Sequence, residues 1–305
     1  MSFHLTVAGS LEPLADALAD LLAEPAPSAD PFDAELLVVP SAGVRAWLAG
    51  RLSQRLGATA RGADGIATNL HWEFPGRVVT LALGPEAGLG AWETDRLTWA
   101  VYDELLADPD RYDQPATALR ARAIADLFDR YTLHRHTMAL GWGRGTNELG
   151  GGRDVDESEE WQPDLWRMVR ARLGGTSDAE AMRERLGALR DGVVPDDAPA
   201  RVIVFGLASL PAPHLEVLGA LSATRDVHVF APAPSGARWR RLVDALPPDV
   251  ALPIPRDDAE FPALLGNPLV TDWGRSASEA HALLHLTAVG ANATIDVRFD
   301  DDAAT

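Results

Sequence analysis

Leu36-Leu-Val-Val-Pro-Ser-Ala-Gly-Val-Arg-Ala-Trp-Leu48 joins an apolar, β-branched run to a tight turn of small residues and then to a helical pattern. That order, strand then turn then helix, is where α/β nucleotide-binding folds carry their phosphate loop. The chemistry of such a loop needs an ammonium that reaches the β and γ phosphates. This chain of 305 residues contains no lysine. The segment predicts the architecture of an ATPase without the residue that would make it one.

Outward from this unit the same rhythm continues. Phe3 to Val7 alternates as a strand, and Leu11, Leu14, Leu18, Leu21 and Leu22 recur at helical spacing. A strand over 35–39 leads into a helix through Val44, Trp47, Leu48, Leu52 and Leu56 with a stop at Gly57, and Ile66 to His71 reads as a third strand. This β-α-β-α-β start predicts a parallel sheet with crossover helices. From Pro75 to about Gly192 the pattern is helical, in segments 78–83, 94–106, 116–133, 165–173 and 179–189. Arg201 to Phe205 and Asp226 to Phe230 then return as apolar runs around a helix over 213–221. The expected architecture is an α/β sheet domain (1–75 and 196–305) interrupted by a helical insertion (76–195).

Composition narrows the chemistry. With 47% hydrophobic residues the chain can bury a large core. No apolar run reaches a membrane-spanning length and the start lacks the pattern of a signal peptide, which predicts a cytoplasmic protein. The absence of cysteine closes thiolate and disulfide chemistry. A net charge of -18 opposes non-specific attraction to nucleic acid, so any contact with DNA has to be local. All 27 basic side chains are arginine, suited to planar, bidentate contacts with phosphate, although a biased base composition explains the same count.

Several motifs have bland readings that outweigh the sharp ones. Gly141-Trp-Gly-Arg-Gly145 follows a helix instead of a strand and reads, with the residues to Gly152, as a flexible loop. His281 and His285 lie four apart on a helix over 277–286, a metal spacing without a third ligand, so a half-exposed helix face is expected. Ser209 lacks a base and reads as a helix cap. The carboxylate pairs Asp126/Asp129 and Asp196/Asp197 lack the lysine that nucleases of this kind commonly use. The helix over 116–133 is more informative: Leu119, Ile124, Leu127, Phe128 and Tyr131 form an apolar stripe, and Arg122, Asp126 and Arg130 form a charged ladder. Asp129, His134, Arg135 and His136 extend the polar cluster beyond it.

Five segments in series resemble one family. They are Asp30 to Leu48, Ala125-Asp-Leu-Phe-Asp-Arg-Tyr131 with Arg135, Trp161-Gln-Pro-Asp-Leu-Trp166, Arg201-Val-Ile-Val-Phe-Gly-Leu-Ala-Ser-Leu-Pro211 and Gly266-Asn-Pro-Leu-Val-Thr-Asp-Trp-Gly274. In order and spacing the chain is similar to the RecC family, the gamma subunit of exodeoxyribonuclease V, over its N-terminal portion. The resemblance implies a superfamily 1 helicase-like sheet domain, built as in P-loop proteins, that has lost its ATP site. It implies a subunit that splits the duplex and guides single-stranded DNA from a fork. ATP and magnesium would then be used by RecB-like and RecD-like partners, with no cofactor in this chain. Some members read the recombination hotspot Chi.

Carried over by position, the strand-reading surface comprises the turn Pro40 to Ala46, with Ser41, Gly43 and Arg45, the segment Asn69 to Pro75, with Phe74, and Asp126, Leu127, Asp129 and Arg135. Arg183 or Arg185 is a further candidate. Carboxylates and arginine can pair with exposed base edges, and Leu127 or Phe74 can stack on base faces. Pro40, Ala42 and Ala46 offer no side-chain hydrogen bonds at the turn. Two other readings stand beside this one. One is an active nucleotide hydrolase with Arg45 in the lysine's place. The other is a purely structural interaction domain, expected if Arg120, Arg122, Arg130 and Arg135 all pair with internal carboxylates.

Overall fold

A computed structural model describes residues 1–24, 32–56, 65–84, 90, 92–108, 115–149, 153–195, 198–246 and 274–299. Among them the elements run β1 (Ser2–Ala8), α1 (Leu11–Ala23), β2 (Glu35–Val38), α2 (Ala42–Ser53), β3 (Leu70–Glu73), α3 (Pro75–Leu83), α4 (Thr94–Ala107), α5 (Ala118–His134), α6 (His136–Gly143), α7 (Trp161–Arg172), α8 (Asp178–Arg190), β4 (Arg201–Phe205), α9 (Ala212–Leu221), β5 (Asp226–Pro232), α10 (Gly236–Ala245), α11 (Arg275–Gly290) and β6 (Thr294–Arg298). They form two compact units: Met1–Ala82 with Gly192–Leu210 and His214–Thr305, and Leu83–Asp191 with Pro211–Pro213.

The first unit is an α/β layer structure around six parallel strands in the order β3-β2-β4-β5-β1-β6. Parallel strands are buried on both faces, which is why β4 is an unbroken apolar run behind Arg201 and is buried throughout. Residues in register across neighbouring strands share a face. On one face Leu37, Ile203, Phe205, Phe230 and Ala8 lie under Leu14 and Leu18 of α1 and Leu48 and Leu52 of α2. The opposite face carries Phe3, Leu5, Val7, Val202, Val204, Val227 and Val229, all buried. Right-handed crossovers place α9, α10 and α11 there. Trp239 of α10 meets His281 and His285 of α11 edge-on, at 5.7 and 6.1 Å between ring centroids.

The second unit is all helical. Its core joins Leu97 and Val101 of α4 and Ile124 and Phe128 of α5 to Trp92, Trp142 and Trp166. The Trp92 and Trp166 rings are 5.1 Å apart and those of Trp142 and Trp166 6.3 Å. A capping box starts α8: the Ser177 hydroxyl accepts from Glu180 N–H, and the Glu180 carboxylate accepts from Ser177 N–H. Arg170 of α7 donates to both oxygens of that carboxylate, at 2.7 and 2.8 Å, tying the two helices together.

Several local expectations are corrected. The third strand starts at Leu70, because Asn69 takes a left-handed φ of 60° and its side-chain amide donates to Asp33 O at 2.7 Å. Ile66 is left exposed outside the strand. Gly141 and Gly143 belong to α6, and a Cβ at Gly143 would come within 2.9 Å of Glu180, so this glycine serves close packing and not loop flexibility. Gly150 to Gly152 lie outside the described residues, as do Gly57, Asp196, Asp197 and most of the segment 266–274. His281 is buried, its Nε2 bonded to Pro232 O at 3.1 Å, where a half-exposed face was expected. Ser209 is exposed and lies three residues before α9, outside the N-cap position. Helix α10, absent from the expected elements, carries a signal of its own, a Ser235 cap with Trp239 and Leu242 buried three apart, whereas α6 and β6 carry little: β6 is a short edge strand, Thr-Ile-Asp-Val-Arg, with polar residues on alternate positions.

Candidate nucleic-acid interface

In the sheet unit the β2–α2 turn is fixed by its own cap. The Ser41 hydroxyl accepts from Val44 N–H at 3.3 Å, which satisfies one of the orphan donors of the helix start. Pro40, Ser41, Ala42, Gly43, Arg45 and Ala46 are exposed. The Arg45 guanidinium lies over the ring of Trp72, 5.8 Å from its centroid. Val39 N–H donates to Glu73 O at 3.0 Å, which carries the β2–β3 ladder up to Phe74 and leaves that ring 47% exposed beside the turn. Trp47 of α2, 37% exposed, stacks on the buried Phe205 of β4.

The structure thus brings Ser41, Gly43, Arg45 and Phe74 to the carboxyl ends of β2 and β3. It does not bring Asn69 there. Asn69 precedes β3, so about 13 Å of strand separates it from Phe74, and its amide is engaged with Asp33. Trp72 falls within the segment Asn69 to Pro75 carried over from the resemblance, but its place beneath Arg45 is not readable from a third strand ending at His71. Alternation with Leu70 from the corrected start places it on the α2 face.

In the helical unit α5 buries Ala121, Ile124, Ala125 and Phe128 and turns its other side outward. Asp126, Asp129, Arg130 and Arg135 are exposed and Leu127 is half-buried. Arg122 bridges Asp95 at 2.9 Å and Asp126 at 3.0 Å, and Arg130 Nε donates to Asp126 O at 3.2 Å. Burial, then the charge of Asp126, pushes the Asp129 carboxyl above the usual range, with His134 opposing. Asp178, at the start of α8, is raised by burial against the pull of backbone N–H groups of Gly90 and Trp92, and Asp129 adds to that rise. Arg135 sits at the joint between α5 and α6 with its backbone out of the helical region (φ −137°, ψ 36°), so its side chain leaves the helix axis. Arg183 is exposed and Arg185 half-buried on α8.

Neither cluster couples a nucleophile to a base, and among the described residues no group of three or more His, Asp or Glu could hold a metal. What the α5 face can offer is hydrogen-bond acceptance from carboxylates and a planar cation in Arg135. No helix among the described residues is long and apolar enough to cross a membrane.

Comparison with known proteins gives this geometry a family. The family described as RecC, N-terminal domain, matches residues 3–302. The RecBCD enzyme subunit RecC of Mycobacterium tuberculosis is 32% identical over 93% of the chain and 27% of that protein, and that of Mycolicibacterium smegmatis is 30% identical over 93% and 25%. The subunit of Escherichia coli K12 is 25% identical over 85% of the chain and 26% of its own length. The chain spans about a quarter of the length of these relatives. A match that runs across both the parallel sheet and the helices between its strands leaves one assignment: this chain belongs to the RecC family.

Proposed function

We propose that the chain is the N-terminal part of a RecC-like subunit that guides single-stranded DNA without catalysing a reaction itself. It would act in an exodeoxyribonuclease V (RecBCD-type) assembly in double-strand break repair by homologous recombination. Its sheet unit is a helicase-like, superfamily 1-like scaffold with no functional ATP site, used to split a fork and lead one strand away. RecB-like and RecD-like partners supply the motors and the nuclease, together with ATP and magnesium. The observation that carries this reading is the family match over residues 3–302, which includes every segment quoted for the resemblance.

Two features support it. The exposed side of α5 carries Asp126 and Asp129, with half-buried Leu127 on its flank and Arg135 just past its end, groups that suit base edges and base faces of an unpaired strand. The β2–α2 turn presents Arg45 over Trp72 next to Phe74, a cationic and aromatic platform of the kind that grips single strands without sequence preference. One observation favours the structural-domain reading: Arg122 is satisfied by Asp95 and Asp126. Arg135 does not follow it, since none of the ion pairs among the described residues involves it.

The test is Arg135→Ala in the assembled complex. A lost charge-assisted contact costs about 1.5–3 kcal/mol, so crosslinking of an unwound strand to this subunit should fall roughly 10- to 100-fold with the complex intact. Unchanged crosslinking and unchanged strand processing would leave the structural-domain reading in its place.

A further inference from the structure

In a parallel sheet a phosphate is held where neighbouring strands send the chain to opposite faces, against a helix N-terminus. β1 leads into α1 on one face, and its neighbour β5 leads into α10 on the other. Their carboxyl ends frame such a position. Gly9, directly after β1, and Gly236, the first residue of α10, form two of its walls. Between them lies the ring of Phe299, the residue that follows β6. A Cβ at Gly236 would stand 2.7 Å from Phe299 Cγ, and one at Gly9 would stand 3.5 Å from its Cδ1. The two strand ends are also drawn together by Ala233 N–H, which donates to Ala8 O at 2.9 Å.

The helix N-terminus is taken as well. The Glu12 carboxylate, in the first turn of α1, accepts from the Ser10 hydroxyl and from its own backbone N–H, which hold it below the usual carboxylate range. An intramolecular anion therefore engages a donor that a phosphate would need. These residues do not fit a nucleotide. A ring fills the floor, a carboxylate holds the anion position, and the chain has no ammonium to offer.

We propose that Phe299 is an intramolecular plug that fills the switch-point position at the carboxyl ends of β1 and β5, which the topology marks as the phosphate position in place of the β2–α2 turn expected from the sequence, and that it clamps the ends of β1, β5 and β6 without a ligand. The inference deepens the reading of the sheet as an ATP-free scaffold, and rests on it only in naming the position a former phosphate site. The clamp itself is independent of what the subunit does with DNA. Gly236 is the mate of the plug: a Cβ there would meet Phe299 first, with its three nearest atoms, at 2.7, 2.8 and 3.1 Å, all in that side chain.

A double-mutant cycle on thermal unfolding of the 305-residue chain tests this. Phe299→Ala should lower Tm by about 5 °C and Gly236→Ala by a similar amount. In the Phe299→Ala background Gly236→Ala should be neutral or raise Tm by about 2 °C, since alanine is the better helix former once the ring is gone. Phe299→Leu, which keeps apolar volume, serves where Phe299→Ala does not fold, and a reduced penalty for Gly236→Ala is expected there too. Additive effects of the two substitutions overturn the plug. A Tm raised by millimolar ATP with magnesium in the wild type and equally in Arg45→Ala would overturn the reading of the position as filled, whereas a rise lost in Arg45→Ala would overturn only the ATP-free scaffold.

Discussion

Acidification should loosen the sheet unit through one histidine. His228 on β5 stacks on His4 of β1 with ring centroids 4.5 Å apart and planes 6° from parallel. Burial, then the charges of His4 and Arg201, lowers its pKa from 6.5 to about 4, with Asp226 opposing. Because the folded value lies below the unfolded one, the unfolded chain takes up the proton first. The stabilisation is complete above pH 6.5 and is lost as pH falls from there towards 4. Between about pH 7.5 and pH 4.5 the loss comes to about 2.5 kcal/mol, at about 1.4 kcal/mol for each unit of difference. His281, depressed by burial and by Arg238, and His285, depressed by burial, push in the same direction, so the wild type alone is not diagnostic. The comparison is with His228→Asn, which cannot titrate. Hydrogen exchange of peptides from β1 and β5, corrected for intrinsic rates, should show the wild type losing about 70-fold more protection than the variant over this range. If both lose protection in parallel, the stacked pair does not hold His228 neutral and the account of its environment is wrong.

Two further substitutions probe the same unit. Arg201, 6% exposed, donates Nε to Glu35 at 2.9 Å and Nη2 to the other carboxylate oxygen. Arg201→Met strands that carboxylate and should cost about 3–5 kcal/mol in urea unfolding, most of it recovered by adding Glu35→Leu, whereas no recovery would mean the pair is a net stabiliser. Trp72→Leu keeps apolar packing against α2 but removes the ring beneath Arg45. Crosslinking of a single strand to the β2–α2 turn should fall about 5-fold with Tm little changed, and equal crosslinking would take this turn off the strand's path.

What the sequence discloses depends on how local the physics is. The unit around Leu36 to Leu48 is legible because its strand is continuously apolar and its cap, Ser41, is local. β4 and the α5 face are legible for the same reason: burial on both sides leaves an unbroken run, and helical periodicity alone separates Phe128 from Asp126 and Asp129. The start of β3 is not legible, since it is set by an Asn69 bond to Asp33, thirty-six residues away. The burial of His281 depends on Trp239 and Pro232, and the role of Gly236 on Phe299, all long-range in sequence. Asn69 and Phe74 lie at opposite ends of β3, a separation that closeness in number does not disclose.

The same contacts divide the work between the two candidate surfaces. At the β2–α2 turn the Ser41 hydroxyl is engaged by Val44 N–H, Pro40, Ala42 and Ala46 have no polar side-chain atoms, and Arg45 lies along Trp72. That leaves backbone groups, a cation and aromatic rings, and of these the rings stack on every base alike. On α5 the carboxylates could discriminate, yet Asp126 is already paired with Arg122. Asp129 is different: the neighbouring charge on its own helix that favours its ionised form is His134, not an arginine. On the proposed DNA-guiding reading, Asp129 and Arg135 are the α5 candidates for contact with base edges. Asp129→Asn, which keeps the shape of the side chain but replaces an acceptor-only carboxylate by an amide, should change which strands crosslink to this subunit with the complex intact. An unchanged strand preference in Asp129→Asn would move discrimination away from this residue.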